Sequence, residues 1–173
     1  YEYTLKPAMD SLALRLGSRK VVIDPGHGGT ETGTRNETLG IFEKDLNLDV
    51  AIRVRELLEE VGVNVVMTRY DDRVVALDER LKIANRAKPA LFASIHFNSA
   101  PNLDAEGIET YVLTPPIAVS SNDSLSNLKQ GRLSGNGFDY ANFEIGYLLQ
   151  RKLVADLQRV DRGLKRARFK VLT

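Results

Sequence analysis

The sequence predicts a single α/β domain, with a mainly parallel, twisted sheet flanked by helices on both faces. The chain has 173 residues, which is the size of one domain. Short apolar runs alternate with longer segments in which apolar residues recur every three or four positions. These are the patterns of buried strands and of amphipathic helices. Strands that alternate with helices of this length form parallel sheets covered on both faces.

The first half of the chain predicts three strands and two helices. In order, it contains a strand over 20–24, a glycine-rich loop over 25–40, a helix over 43–61, a strand over 63–68, a helix over 76–88 and a strand over 91–95. The apolar positions of the first helix are Leu46, Val50, Val54, Leu57, Leu58 and Val61, and those of the second are Leu77, Leu81 and Ala84. Gly62 suits the position after the last turn of the first helix, and Pro89 ends the second.

The second half predicts a strand over 108–113 and a helix over 141–160. Between them, residues 114–139 are polar, and a stretch of that length in a compact domain is usually functional or disordered. We expect a long mobile loop there, with a lid or an autoinhibitory segment as alternatives. The basic segment from Arg159 to Lys170 is expected to be a solvated face, with contact to an anionic polymer as the alternative.

The composition excludes several classes of function. A net charge of +1 gives no bulk electrostatic reason to expect nucleic acid, and the absence of cysteine excludes disulfides and thiolate metal sites. No apolar run reaches the roughly 20 residues of a membrane span, and the sequence start does not show the pattern expected of a signal peptide. We interpret residues 1–19 as an N-terminal extension and the chain as an excised or processed domain.

The only two histidines each follow a predicted strand. His27 comes just after the strand over 20–24, and His96 directly follows the strand over 91–95. The carboxyl ends of parallel strands are where open α/β sheets bind ligands. A catalytic zinc site needs three protein ligands, and Glu43, at the start of the first helix, is the best third donor. Asp24 is close enough in sequence to orient an imidazole.

Other interpretations of these residues are open on sequence grounds. A histidine in a loop is most often a polar surface residue, and a glutamate at a helix start is most often a capping or dipole device. A glycine-rich turn after a strand is often a phosphate cradle, although the spacing here lacks the lysine of a P-loop and the dinucleotide-binding pattern.

A larger set of motifs resembles one enzyme family. Its members in this chain are Asp24-Pro25-Gly26-His27-Gly28-Gly29, Glu43-Lys44-Asp45, Thr68-Arg69, Arg80, Ala84-Asn85, Ser94-Ile95-His96-Phe97-Asn98-Ser99, Gly107-Ile108-Glu109-Thr110-Tyr111 and Arg162-Gly163-Leu164-Lys165. In order and spacing they are similar to the zinc-dependent N-acetylmuramoyl-L-alanine amidases of the third amidase family. The resemblance covers about residues 20–172 and implies a phosphorylase/hydrolase-like fold.

The resemblance implies a site and a reaction. The equivalents of His27, Glu43 and His96 bind one Zn²⁺ ion in that family, and the reaction hydrolyses the amide between N-acetylmuramic acid and L-alanine. The resemblance implies that the partner is peptidoglycan and not nucleic acid. It also implies that the chain has no membrane span and that the protein acts in the periplasm or cell wall. We expect a monomer, and an activator protein is considered as a further partner.

The catalytic base is where the chain departs from the family. The family's catalytic glutamate lies in a final apolar strand, and no residue here matches it before Thr173. We therefore expect residues 20–173 to be an amidase domain that lacks its last strand and helix, and thus a fragment. Glu109 is a weak alternative for the base, and a strand-face residue is the competing interpretation.

Three further residues are candidates for substrate binding. Asn98 follows His96 closely, and Arg69 could anchor a carboxylate or muramic acid, as could Arg80. Loop capping by Asn98, and ion pairs of the arginines with acids such as Asp71, Asp72 or Asp78, are the alternatives.

Two other functions compete with the amidase. One is a non-catalytic module that binds or regulates the wall, built on the same fold after loss of the base. The other is a different zinc hydrolase of cell-wall peptides, such as a deacetylase or carboxypeptidase.

Overall fold

The computed structural model describes residues 20–100, 102, 104–121 and 131–173. The chain forms two compact units, one ending at Ser99 and the other beginning at Ala100. The predicted extension over 1–19, and residues 122–130 of the predicted mobile loop, lie outside the described residues.

The first unit is built on a three-stranded parallel sheet. Strand β1 (Lys20–Pro25) lies in the middle. It is paired in parallel with two later strands, numbered here by their order along the chain: β4 (Asn64–Met67) and β5 (Leu91–Ile95). A strand with a neighbour on each side and both faces covered is apolar throughout rather than alternating, which is why the run from Val21 to Ile23 is continuous.

Two helices make the crossovers that parallel strands require. Helix α1 (Glu43–Glu60) connects β1 to β4, and α2 (Leu77–Ala87) connects β4 to β5. The core between the sheet and α1 consists of Val21, Ile23, Ala51, Val63, Val65 and Met67. The residues of α1 that are buried are Glu43, Asn47 and Ala51. Their four-residue spacing places them on one face, so the stripe that enters the core begins with a carboxylate.

The apolar faces predicted for the helices are only partly correct. Leu46 and Leu57 on α1 are 38% and 47% exposed, and Leu77 on α2 is 50% exposed. Polar residues occupy the buried positions instead, since Glu43 and Asn47 on α1 and Arg80 on α2 hydrogen-bond to groups around the end of β1.

Within the predicted loop over 25–40 lies β2 (Arg35–Asn36), which pairs in antiparallel fashion with β3 (Ile41–Phe42), directly after the loop. This loop also caps α1, which has no side-chain cap. The Glu43 N–H donates to the Thr34 carbonyl at 2.8 Å, and the Lys44 N–H donates to the Thr32 carbonyl at 3.1 Å. The loop thereby satisfies N–H groups that the first turn of a helix leaves without a partner.

The second unit contains a strand–helix–strand element. Strand β6 (Ile108–Leu113) pairs in parallel with β7 (Asp161–Ala167), and α3 (Asp139–Leu157) connects them. A 3₁₀ helix, Ser134–Phe138, leads directly into α3, so the predicted loop is shorter at its end and the helix begins earlier than expected.

Most of the basic segment over 159–170 is strand β7, which the sequence did not predict. Arg159, Arg162, Arg166 and Lys170 are exposed, as a solvated basic face requires, and some cations of the segment also have partners within the unit. Lys165 and Arg162 bind the Glu109 carboxylate, and Arg168 donates to two backbone carbonyls. The sequence did not predict this strand, because basic residues interrupt the apolar run by which a buried strand is identified.

The predicted α/β class with a mainly parallel sheet is confirmed, since β2–β3 is the single antiparallel strand pair among the described elements. Within the described ranges, no helix is long and apolar enough to cross a membrane.

Candidate metal centre

Three side chains that could hold a metal ion come together in the first unit. His27 and His96 follow the ends of β1 and β5, which are adjacent parallel strands, and Glu43 is the first residue of α1. Each residue offers one nitrogen or oxygen atom, and these atoms all lie within 4.8 Å of one another. The structure thus brings together the three residues that the sequence singles out as ligands.

The carboxylate of Glu43 lies between the two imidazoles. Its Oε1 is 3.0 Å from Nδ1 of His96 and 3.4 Å from Nε2 of His27. The two rings are nearly perpendicular, with an interplanar angle of 82° and centroids 4.9 Å apart. This is a compact set of donors that points three ligand atoms at one small volume.

Backbone groups fix the orientation of the Glu43 carboxylate. Oε1 also accepts the Phe97 N–H at 3.0 Å, and Oε2 accepts the Thr34 N–H at 2.8 Å. Burial by itself raises the pKa of Glu43, but the hydrogen bonds from His96 and Thr34, together with the imidazole charges, lower it to about 2. The group is therefore an ionised acceptor at neutral pH.

The backbone at His27 is strained and is held by two arginines. His27 has φ of +61°, a left-handed conformation that is uncommon outside glycine. Arg80 Nη2 donates to the His27 carbonyl at 2.8 Å. Arg69 and Arg80 both donate to the Pro25 carbonyl, and Arg69 also donates to that of Gly26. Two guanidinium groups therefore bind three successive carbonyls and hold the loop that presents His27.

A buried carboxylate balances Arg80. Asp24 Oδ1 lies 2.6 Å from Arg80 Nη1, with side chains only 1% and 3% exposed. Asp24 also accepts the Thr68 hydroxyl at 2.6 Å and the Ser94 hydroxyl at 2.7 Å. The prediction that Asp24 orients an imidazole is therefore wrong; it anchors the arginine that holds the loop. Asp24 is also an acid that pairs with Arg80, one that the sequence did not suggest.

Arg69, predicted to contact substrate, is fully buried. Besides Pro25 and Gly26, its guanidinium donates to the carbonyls of Lys44 and Asp71. Burial, and then the charge of Arg80, lowers the pKa of Arg69. The observed contacts are those of a positioning residue, and substrate contact by Arg69 stays a prediction that this geometry does not support.

The space beside Glu43 is open. A cleft of ≈ 230 Å³ adjoins the carboxylate, and its other lining residues are Thr34, Arg35, Asn36, Ile41, Leu46 and Phe97. Asn98 is exposed, two residues beyond His96, and its role in substrate binding stays a prediction.

Glu109, the weak candidate for the base, lies on β6 in the second unit. Arg162 Nε is 3.2 Å from its Oε2, and Lys165 also binds that oxygen. The hydrogen bond to Glu109 raises the pKa of Lys165. The carboxylate is thus bound by two cations, and its role as a base stays a prediction.

Sequence reasoning missed the network that connects Asp24, Thr68 and Arg80. A signal was present: Arg80 lies four residues before Ala84, on the face of α2 that the sequence predicts to be buried. A charged residue at such a position needs a buried partner, and Asp24, at the end of an apolar strand, is a candidate of opposite sign.

The donor set fits a catalytic zinc site. Two imidazoles and one carboxylate are a known combination of ligands for catalytic zinc, which keeps a further position open for water or substrate. Glu43 is ionised at neutral pH, as a carboxylate ligand must be.

Comparison with known proteins agrees with this geometry. The family model for N-acetylmuramoyl-L-alanine amidase (Amidase_3) matches residues 21–173. The uncharacterized protein YqiI of Bacillus subtilis (strain 168) is 35% identical over 170 residues, which cover 98% of this chain and 70% of YqiI.

Two amidases extend the comparison. The N-acetylmuramoyl-L-alanine amidase LytC of Bacillus subtilis (strain 168) is 34% identical over 152 residues, covering 88% of this chain but 26% of LytC. The solved structure of the amidase AmiC2 of Nostoc punctiforme superposes with a TM-score of 0.70 at 32% identity, covering 90% of this chain and 74% of AmiC2. The match across almost the whole chain, on a fold that presents two histidines and a glutamate together, shows that this chain belongs to the N-acetylmuramoyl-L-alanine amidase family.

Proposed function

We propose that residues 20–173 form the catalytic domain of a zinc-dependent amidase that hydrolyses the bond between N-acetylmuramic acid and L-alanine in peptidoglycan. The observation that carries the proposal is the grouping of His27, Glu43 and His96 within 4.8 Å, in a chain that belongs to the amidase family. Peptidoglycan as substrate, an extracytoplasmic location, a monomeric state and an activator protein are parts of the same proposal.

His27, Glu43 and His96 would hold one zinc ion. A zinc ion so bound supplies Lewis-acid polarisation of the scissile carbonyl and makes water at the site more acidic. The protein's own contribution is orientation. The hydrogen bonds from Thr34 and Phe97 fix the Glu43 carboxylate, and the Arg80 contact fixes the backbone that carries His27. A site built in this way reorganises little when ligand or substrate arrives.

The substrate would enter from the cleft beside Glu43. The cleft is lined by the apolar residues Ile41, Leu46 and Phe97 and by the polar residues Thr34 and Asn36. Asn98, exposed next to this region of the sequence, is proposed to donate a hydrogen bond to the substrate. These features suit a sugar–peptide junction, which presents both methyl and amide groups.

Proton transfer needs a further group. The reaction requires a base that takes a proton from water and passes it to the leaving amine. Within the described residues Glu109 is the candidate for this base.

The experiment is a digestion of purified muropeptides by the full-length gene product, supplied with zinc and followed by mass spectrometry. We expect free stem peptides with an L-alanine amino terminus, and intact muramic acid, and we expect the Glu43→Gln variant to release neither. Zinc binding without any release would indicate a non-catalytic wall module. Release of acetate or of a carboxy-terminal amino acid would indicate a different hydrolase. Either outcome would overturn the proposal.

A further inference from the structure

We propose that Gly26 and Gly33 are positioning residues of the metal centre. The Cα of each glycine carries no side chain, and metal-binding side chains pack directly against the backbone there. The inference rests on the metal site of the proposed function and adds two residues that touch neither metal nor substrate. It follows from what a side chain at each position would meet.

Gly33 lies against two of the three proposed ligands. A Cβ at this position would be 2.6 Å from Cδ2 of His27, 2.7 Å from Oε2 of Glu43 and 2.9 Å from Cβ of Glu43. These separations are shorter than packed atoms tolerate, so one methyl group would displace an imidazole and a carboxylate together. Gly33 also has φ of +65°, which favours glycine.

Gly26 lies against the third ligand. A Cβ here would fall on the imidazole of His96, 2.7 Å from Nδ1 and closer still to two other ring atoms. Gly26 does not have a positive φ, so conformational freedom does not explain a glycine at this position. The contact with the ring does.

Hydrogen bonds hold the backbone at both glycines, so it cannot move away from the ligand side chains. The Gly26 N–H donates to the Ile95 carbonyl at 3.1 Å, and its own carbonyl accepts Nδ2 of Asn47 and Nη2 of Arg69, both at 3.0 Å. Gly26 is therefore held from both sides by groups that are themselves buried or part of the sheet.

The backbone around Gly33 is held in the same way. The carbonyls on either side of it, those of Thr32 and Thr34, accept the first N–H groups of α1 at 3.1 and 2.8 Å. An added methyl group at either glycine would therefore move the ligand side chain and not the backbone.

The chain offers a matched control for Gly33. Gly40 has φ of +63°, and a Cβ there would meet nothing within 4 Å. Gly33→Ala and Gly40→Ala therefore carry the same conformational penalty and differ in the contact with His27 and Glu43. Zinc affinity is measured by competition with a chromophoric chelator, and folding stability by urea unfolding in the presence of a chelator.

We expect both variants to lose stability, Gly33→Ala by more because its methyl group also displaces packed side chains, and Gly33→Ala alone to lose zinc affinity. A loss of ~10–100-fold is the scale seen when groups supporting metal ligands are altered. Equal zinc affinities for the Gly33→Ala and Gly40→Ala variants, whether unchanged or reduced, would overturn the proposal.

Gly26→Ala gives a second test that involves no left-handed backbone. Its control is Gly137→Ala, a position without a positive φ and with nothing within 4 Å of an added Cβ. Because the chain has 2 histidines, their ring signals in NMR spectra of the metal-free protein are readily assigned. We expect Gly26→Ala to shift the His96 ring signals and Gly33→Ala to shift those of His27. Unmoved ring signals in folded variants would overturn the proposal.

The ring signals also separate this inference from the proposed function. If the wild-type protein binds no zinc, the proposed function fails, while the NMR comparison still tests whether the glycines position the imidazoles. If the wild type binds zinc and both alanine variants bind it equally well, only the role of the glycines is lost.

Discussion

The two units place their buried polar groups differently. In the first unit, Arg69 and Arg80 donate to the carbonyls of one short segment, residues 25–27, and the Asp24 carboxylate accepts from Arg80. In the second, Gln150 on α3 is 3% exposed and connects the helix to both strands, through the Ile108 carbonyl and the Asp161 carboxylate. The first arrangement holds a loop, and the second holds a strand–helix–strand element.

The difference shows where precise geometry is needed. Buried ion pairs are a weak source of stability, and apolar residues of similar volume often serve as well. An amide such as Gln150 is enough to attach a helix to a sheet. Two buried arginines and an aspartate around one loop are better explained by the left-handed His27 that the loop presents. The predictions below test this contrast, from the largest effect to the smallest.

Arg80→Ala tests the first unit. Removing Arg80 leaves the buried Asp24 carboxyl group without its partner, and breaking a buried ion pair costs about 3–5 kcal/mol. Urea unfolding measures the effect, and zinc titration is expected to show weaker binding because the His27 carbonyl also loses its donor. Arg53→Ala is the control, since its pair with Asp49 is exposed, and its midpoint should match the wild type. Equal midpoints for Arg80→Ala and Arg53→Ala would contradict the account.

Gln150→Ala tests the second unit. It removes hydrogen bonds to Thr110, Ile108 and Asp161, and a buried group left without a partner costs about 1–3 kcal/mol. We expect a lower urea midpoint and an unchanged zinc affinity. If zinc binding weakened by as much as it does in Arg80→Ala, the division of roles between the units would be wrong.

Glu109→Gln has the smallest expected effect on folding. The ion pairs of Glu109 with Arg162 and Lys165 are partly exposed, so their loss should cost about 1 kcal/mol or less. Zinc affinity should not change. Digestion of muropeptides is the decisive assay: unchanged rates assign Glu109 to the strand face, whereas a fall of ~10²–10⁴-fold would make it the catalytic base.

The sequence predicted the three strands of the parallel sheet and both helices of the first unit, and the grouping of His27, Glu43 and His96, from local patterns. Apolar runs followed by a histidine, and a helix that starts with a glutamate, are local signals that place donors at one edge of a parallel sheet. No distant contact had to be known for that inference.

Long-range contacts account for what the sequence did not predict. Asp24 and Arg80 are 56 positions apart, and neither residue identifies the other as its partner. The strand β7 was missed for a related reason, because two of its basic residues, Arg162 and Lys165, pair with the distant Glu109, which is 56 positions from Lys165. The close approach of Gly26 to His96 is likewise visible only in three dimensions.

The most direct test of the central claim is the zinc content of the purified protein after equilibration with zinc and dialysis. The account predicts one zinc ion per chain in the wild type and in Glu109→Gln, and essentially none in Glu43→Gln, which removes the charge of one ligand while keeping its shape. A wild-type protein without zinc, or a Glu43→Gln variant that retains as much zinc as the wild type, would contradict it.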